Sequence, residues 1–314
     1  MTDEATSTTQ QRGYVVGTVN SARLDVIGIK EALFEDQVIA AKIAKDYNLR
    51  SNATLYEQVS KTFGQQVVKR DDFKDDEVFE AATLAIASSM RRWSQVYRAL
   101  PQIRRILKDY DPGEVARAAQ DPAQRDGMVQ ALGALLGGVP ARKHADWIIR
   151  FGESLTAAPR FYPSLLEVRE AVRKRAPALS DAQLNAAVAL LLARGSGPKS
   201  RASNGIAFNK VAGMGPPIAS EFLRNLGWAS FKPDRHIVRL LTAWLPEAER
   251  NEIADSVDWK PIFPRRARDA KEFLDFAVLG EKLTPPGLPL NQIDQLVWMM
   301  GVYVQKKPRT KRSP

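Results

Sequence analysis

Apolar residues recur three or four positions apart along most of the chain, which is the spacing of one face of an α-helix. The stretch from Ile27 to about residue 69 shows this spacing, and Asn52 is placed to cap a helix within it. Further helices are predicted over residues 75–89, 93–110, 126–136, 139–155, 165–176, 181–193, 235–245 and 290–304. The pattern therefore predicts an all-α fold.

Two segments near the amino terminus break the helical spacing. Residues 14–26 alternate loosely between apolar and polar side chains, which predicts one or two short strands. Residues 1–13 are rich in Thr, Ser and Gln, so we expect them to be disordered. The expected fold class is thus all-α with, at most, a small amino-terminal β element.

The charge balance favours a polyanionic partner. The 314 residues include 46 Lys or Arg against 36 Asp or Glu, a formal net charge of +10. DNA, RNA or an anionic membrane surface would fit this excess, and charge that serves only solubility is the alternative. Residues 305–314 form a basic tail without an acidic residue, which we expect to be disordered and to add salt-sensitive DNA affinity.

The absence of cysteine excludes several kinds of catalytic and metal-binding site. With no Cys in the chain, disulfides, a cysteine nucleophile and thiolate-bound zinc or iron–sulfur clusters are excluded, and we expect no cofactor. The longest apolar run, from Ala186 to Ala193, is too short to span a membrane, and the polar amino terminus has no signal-peptide core. We expect a soluble, cytoplasmic and monomeric protein.

The stretch of residues 208–240 carries the clearest chemistry. Helical patterns flank Gly213-Met214-Gly215, and Pro216 suits the first position of the second helix. A helix that begins after such a turn presents backbone N–H groups, and a nucleic-acid phosphate is the obvious anion for a basic protein. Asp234 then lies between a proline and a basic helical run.

These residues resemble the helix-hairpin-helix DNA glycosylase superfamily, of the endonuclease III-like and alkylpurine glycosylase-like kind. Residues 211–219 (VAGMGPPIA) are similar to its Leu-Pro-Gly-Val-Gly-x-Lys-x-Ala hairpin, and residues 233–239 (PDRHIVR) to its Val-Asp-x-His-Val-x-Arg segment. Weaker similarity runs from about Phe79 to about Tyr303. The resemblance implies duplex DNA as the partner, base flipping, and Asp234 as the carboxylate that stabilises the sugar cation when the base leaves.

The resemblance also assigns DNA-binding residues and a reaction type. In and beside the hairpin, it implies DNA contacts at Lys210, Gly213, Met214, Gly215, Ile218 and Ala219. Bifunctional members carry a nucleophilic lysine in the hairpin, where this chain has Pro217, and Lys210 and Lys232 lie off the pattern. A monofunctional enzyme that leaves an abasic site is expected, with His236 in a structural role.

A wedge and a base pocket are predicted by position. The end of the helix over residues 75–89 matches the place where the family inserts a side chain into the duplex, which makes Met90 or Arg91 the wedge and Arg92 a DNA contact. The base-pocket candidates are Trp93, Phe161 and Tyr162, which would stack on a base. For Met90, Trp93 and the aromatic pair, ordinary core packing is the alternative, and His144 is expected to be solvent-facing or hydrogen-bonded.

The predicted domains follow from the resemblance. One helical lobe is expected from residues 14–79 and 241–304, and a central lobe from residues 80–240, which contains the hairpin at about 208–226. The DNA would lie in a cleft between the lobes. Residues 157–205 look like an insertion relative to compact members.

Three questions stay open at this point. Asp234 is also a good N-cap for the helix that follows it, so it is either a cap or a catalytic group. The protein is accordingly a glycosylase or a non-catalytic helix-hairpin-helix DNA-binding protein, with a helical scaffold as a third interpretation. The excised base is either a damaged host base, for repair, or a bulky one such as hypermodified phage cytosine, for antiviral defence.

Overall fold

A computed structural model describes residues 14–17, 22–47, 72–89, 91–138, 140–157, 159–195, 210–264 and 268–305. These ranges are mostly helical, and the sheet found within them has two short antiparallel strands, β1 (Val15–Val16) and β2 (Arg23–Leu24). Val15 pairs with Leu24. The predicted all-α class with a small amino-terminal β element is confirmed. Within the same ranges, no helix is long and apolar enough to cross a membrane.

The described helices follow one another in a simple order. They are α1 (Val26–Lys30), α2 (Gln37–Tyr47), α3 (Asp75–Ser88), α4 (Trp93–Ile106), α5 (Pro112–Ala119), α6 (Pro122–Leu136), α7 (Ala141–Ser154), α8 (Phe161–Arg175), α9 (Asp181–Arg194), α10 (Pro216–Asn225), α11 (Arg235–Trp244), α12 (Glu247–Asp255), α13 (Arg268–Leu283) and α14 (Leu290–Met299). Wider π-helical turns follow α1, at Glu31–Glu35, and α14, at Met300–Val304.

The chain divides into two compact units. The first unit is drawn from the described residues of Met1–Gln65, Phe231–Ser256 and Asp275–Pro314, and the second from those of Gln66–Ser230 and Val257–Leu274. The boundary we placed after residue 240 therefore lies at residue 230, and the segment with Asp234 belongs to the unit formed from both chain ends. The glycine-rich turn belongs to the second unit.

The core of the second unit is built around α3, α7, α9 and α10. Helix α10 packs against both α3 and α9, and α7 packs against α3 and α6. The rings of Phe151 and Phe222 meet edge to face at 5.9 Å, and Phe79 lies so close to Gly152 that no side chain would fit there. Helix α9 is buried along nearly its whole length, which explains its continuous apolar run.

In the first unit, α11 packs against α14 and the π-helical turn after it. Arg239 donates hydrogen bonds to the carbonyl oxygens of Gly301 and Gln305, and Trp244 Nε1 donates to Gln305 Oε1 at 3.0 Å. Tyr303 Oη donates to Asp46 Oδ2 at 3.0 Å. The bonds from Arg239 and Trp244 tie the carboxyl-terminal end of the described chain to α11, and the bond from Tyr303 ties it to α2.

The helix predicted over residues 93–110 is shorter in the structure, because α4 ends at Ile106 and a 3₁₀ turn follows at Lys108–Tyr110. Asp111 ends that turn and also caps α5 by accepting the N–H of Glu114, with Pro112 at the first helical position. The segment 157–205, expected to be an insertion, contains α8 and α9, and α9 is the helix against which α10 packs. The helix predicted from Asn52 lies outside the described residues.

Candidate nucleic-acid interface and catalytic carboxylate

The glycine turn, residues 211–215, lies against a tryptophan. Gly213 has φ +82°, a conformation that side chains resist, and a Cβ at this position would lie 2.6 Å from Trp147 Cδ2. The Met214 N–H donates to the Val211 carbonyl oxygen at 3.3 Å, and the Met214 side chain is buried. The turn thus requires glycine at residue 213 for two independent reasons, its backbone conformation and the closeness of the Trp147 ring.

Helix α10 begins directly after this turn without a side-chain cap. Gly215 occupies the N-cap position, and Pro216 and Pro217 have no N–H to offer. The first turn therefore presents the N–H groups of Gly215 and Ile218, both in partly exposed residues. Ala219 is buried, as Met214 is, so the side chains of these two predicted contact residues are not open to a ligand.

The glycine turn is anchored to the end of α9. The Val211 N–H donates to the Leu192 carbonyl oxygen at 2.9 Å. Gly195 lies against the backbone of Lys210, since a Cβ at residue 195 would come within 2.8 Å of the Lys210 backbone nitrogen. Lys210, a predicted DNA contact, is exposed at this junction. Helix α9, the turn and α10 therefore form two packed helices with a glycine turn at the start of the second.

Trp147 brings two further side chains of α7 to the glycine turn. Lys143 Nζ lies 5.0 Å from the centre of the Trp147 ring, and the His144 ring stacks on it at 5.2 Å with an interplanar angle of 23°. Neither Lys143 nor Trp147 is among the site residues predicted from the sequence. Their spacing of four along one helix is the signal that predicts such a pair.

His144 connects this group to the predicted wedge segment. Arg91 Nη1 lies 2.8 Å from His144 Nδ1, and because a guanidinium only donates, Nδ1 is the acceptor and the proton lies on Nε2. Burial, reinforced by the charges of Arg91 and Lys143, lowers the pKa of His144 from 6.5 to about 4. His144 is therefore neutral at pH 7, and the prediction that it is hydrogen-bonded is confirmed.

Arg91 has a structural role, contrary to its assignment as a wedge. Its guanidinium donates to the carbonyl oxygens of Leu136, Ala87 and Ser89 at 2.8–3.2 Å, as well as to His144. Those bonds hold the loop between α3 and α4 against the end of α6, so the side chain is turned into the protein. Arg92 is exposed, as a DNA contact requires. Met90 lies outside the described residues.

The predicted base-pocket aromatics lie in or beside the core. Tyr162 is buried, its ring meets Phe73 edge to face at 4.9 Å, and its hydroxyl accepts from Trp228 Nε1 at 3.3 Å. Phe161 meets Phe151 edge to face at 5.3 Å. Tyr162 therefore has no face open to a base, and packing explains it. Trp93, at the start of α4, is partly exposed.

Asp234 is the N-cap of α11. Its Oδ1 accepts hydrogen bonds from the N–H groups of His236 at 2.8 Å and Ile237 at 3.1 Å. Both bonds use the same oxygen, so capping leaves Oδ2 outside them, on a side chain that is partly exposed. The capping role of Asp234 is thus confirmed, and its catalytic role stays a prediction that this geometry leaves open.

His236 is held inside the first unit. Its ring meets Trp298 edge to face at 6.4 Å, and its Cβ lies against Gly301. Burial lowers the pKa of His236, while the charge of Asp234 acts in the opposite direction. These contacts fit the predicted structural role.

Pro217 stands where the resemblance predicts the lysine of bifunctional glycosylases, and it provides no amine. In the part of the chain that the structure describes, no group of three or more His, Asp or Glu side chains is arranged to hold a metal ion. Comparison of the chain with profiles of known protein families, with curated proteins and with solved structures finds no match.

A first prediction concerns the fit between Gly213 and Trp147. Gly213→Ala should destabilise the protein by about 1–3 kcal/mol, because the added Cβ meets the indole and the backbone has positive φ. Gly215→Ser is the matched control, since its φ is −78°, its Cβ would meet no atom within 4 Å, and Ser is a good N-cap. Urea unfolding measures both variants; equal midpoints would contradict the assigned contact.

A second prediction concerns His144 and acid. The unfolded chain takes up a proton near pH 6.5, whereas folded His144 does so only near pH 4, so stability should fall as pH drops through this window. In His144→Gln, whose amide oxygen still accepts from Arg91, the loss of stability between pH 7 and pH 5 should be smaller than in the wild type. Urea midpoints at the two pH values measure it. Identical losses would show that His144 does not titrate as described.

Proposed function

We propose that this protein is a monofunctional DNA glycosylase that binds duplex DNA and hydrolyses the N-glycosidic bond of a flipped base. The observation that carries the proposal is a pairing of features in one chain: a glycine turn that opens an uncapped helix, and a carboxylate fixed at the start of a later helix. The similarity of residues 211–219 and 233–239 to the superfamily motifs supports this pairing.

The glycine turn supplies the phosphate contact in this proposal. The N–H groups of Gly215 and Ile218 lie at a helix start without a side-chain cap, and the helix dipole favours an anion there. Lys143 lies over Trp147 beside the turn, and Lys210 and Arg92 are exposed in the same unit. Their charges suit a DNA backbone, whose affinity would fall steeply with salt.

Asp234 supplies the charge that base release requires. As the base leaves, positive charge develops on the sugar, and a carboxylate near C1′ stabilises it and orients the attacking water. Capping bonds to the N–H groups of His236 and Ile237 fix this carboxylate before DNA arrives. Such preorganisation costs no rearrangement during the reaction.

Two classes of base are candidate substrates. A damaged base in host DNA would make the protein a repair enzyme, and a bulky modified cytosine in phage DNA would make it a defence enzyme. Incubation with normal, alkylated, oxidised and phage-modified duplexes, followed by mass spectrometry of the released base, distinguishes the two. If the protein binds these duplexes and releases no base from any of them, it is a non-catalytic DNA-binding protein. This is the second candidate function, and the capping role of Asp234 favours it.

The central prediction separates catalysis from capping at residue 234. Asp234→Asn keeps an oxygen that accepts the two backbone N–H groups, so stability should change little, while base release should fall by a factor of about 100 or more. DNA affinity should be retained. Asp234→Ala should lose base release and, in addition, about 1 kcal/mol of stability.

The control for this prediction is another capping aspartate. Asp121 caps α6 by accepting the N–H of Ala123 at 2.9 Å. Asp121→Asn should leave base release at the wild-type rate. If Asp234→Asn releases base as fast as the wild type, Asp234 is a cap and nothing more.

A further prediction concerns strand cleavage. Because Pro217 replaces the family's lysine, no Schiff base should form with the sugar, and the product should be an intact strand with an abasic site. Borohydride added during base release should trap no covalent protein–DNA adduct, whereas a bifunctional glycosylase run in parallel should give one. A trapped adduct would require a different amine, with Lys210 and Lys232 as the first to substitute.

A further inference from the structure

Asp294, on α14, is a buried acid. Its side chain is 0 % exposed, and among the described residues it is the one acidic residue in the buried class. Burying a carboxylate is costly, so an acid at such a position is expected to make strong hydrogen bonds. Asp294 Oδ1 accepts the backbone N–H of Lys232 at 2.6 Å, which is a short hydrogen bond.

Lys232 lies two residues before Asp234, in a segment of the first unit that is fixed on both sides. Before it, the Phe231 ring is buried against Gly280 of α13, where no side chain would fit. After it, Pro233 has a restricted φ, and the Asp234 N–H donates back to the Lys232 carbonyl oxygen at 2.7 Å. The orientation of the peptide at Lys232 therefore sets the position of the Asp234 backbone.

Helix α14 contacts the chain on both sides of Asp234. One turn after Asp294, Trp298 meets the ring of His236, which follows Asp234 by two residues. Neighbouring residues of α14, Ile293 and Val297, are buried in the core of the same unit. Helix α14 thus holds Lys232, before the aspartate, through a hydrogen bond and His236, after it, through an aromatic contact.

We propose that Asp294 is a positioning residue for Asp234: its hydrogen bond to Lys232 fixes the peptide that precedes the carboxylate and so aims the carboxylate at the sugar. The inference rests on the proposed glycosylase function. It accounts for the position of a buried acid against the peptide that precedes Asp234. A displacement of the carboxylate by about 1 Å is enough to lower a rate about 100-fold, so the loss of this bond should act on turnover rather than on DNA binding.

Three variants test the proposal. Asp294→Leu removes the acceptor and keeps an apolar side chain in the core, Asp294→Asn keeps an acceptor oxygen of the same shape, and Tyr303→Phe removes a hydrogen bond to Asp46 elsewhere in the same unit. Asp294→Ala replaces the leucine variant if that one does not fold, as judged by circular dichroism. Tyr303→Phe is the matched control, because it lowers stability without touching residues 231–234.

Two measurements are made on each folded variant. Hydrogen exchange of the peptide that covers residues 231–236 reports the Lys232 N–H directly and needs no activity. Single-turnover base release and DNA affinity, measured on a duplex that the wild type processes, separate the rate from binding. In Asp294→Leu we expect exchange at Lys232 to be about tenfold faster or more, base release to be about tenfold to 100-fold slower, and DNA affinity to be unchanged.

Rescue completes the expected pattern. Asp294→Asn should keep most of the protection and most of the rate, and Tyr303→Phe should keep both. If Asp294→Leu retains wild-type exchange and rate, or if Tyr303→Phe loses as much rate, the proposal is overturned. A wild type that releases no base from any duplex overturns the glycosylase function separately, and unchanged exchange at Lys232 in Asp294→Leu would then overturn the positioning role by itself.

Discussion

The close approach of Gly213 to Trp147 is the constraint on which the second unit's candidate interface depends. The glycine turn can lie on the indole only because residue 213 has no side chain, and this contact places the uncapped start of α10 next to α7. Trp147 then stacks on His144, and His144 accepts from Arg91. A continuous series of contacts thus runs from the glycine turn to the loop that begins α4.

In the first unit, the constraint is the cap formed by a partly exposed carboxylate, whose second oxygen takes no part in the capping bonds. One oxygen of Asp234 accepts the capping hydrogen bonds, and a cap holds an acid in place because the helix itself supplies the donors. The buried Asp294 and the ring of Trp298 hold the residues on either side. Rigid placement of this kind is what a group needs if it is to stabilise charge that develops only in a transition state.

Periodicity predicted most helices, because most of them bury one apolar face, and it predicted the small strand pair. It missed α5, a short helix that begins where the Asp111 carboxylate acts as N-cap and Pro112 needs no partner for an N–H group. Composition cannot reveal that Arg91 turns inward, because its acceptors come from three separate segments: carbonyl oxygens at the ends of α3 and α6, and the His144 ring on α7. Likewise the pairing of Asp294 with Lys232 joins residues far apart in the chain, which no spacing rule anticipates.

The meeting of Gly195 and Lys210 has a practical consequence. Since these residues touch and Val211 is bonded to Leu192, the chain leaves the helical pair and re-enters it at one place. The end of α9 therefore fixes the position of the turn that opens α10, through one backbone hydrogen bond and one close contact that a glycine permits. A side chain at residue 195 would displace Lys210, the residue that leads into the glycine turn.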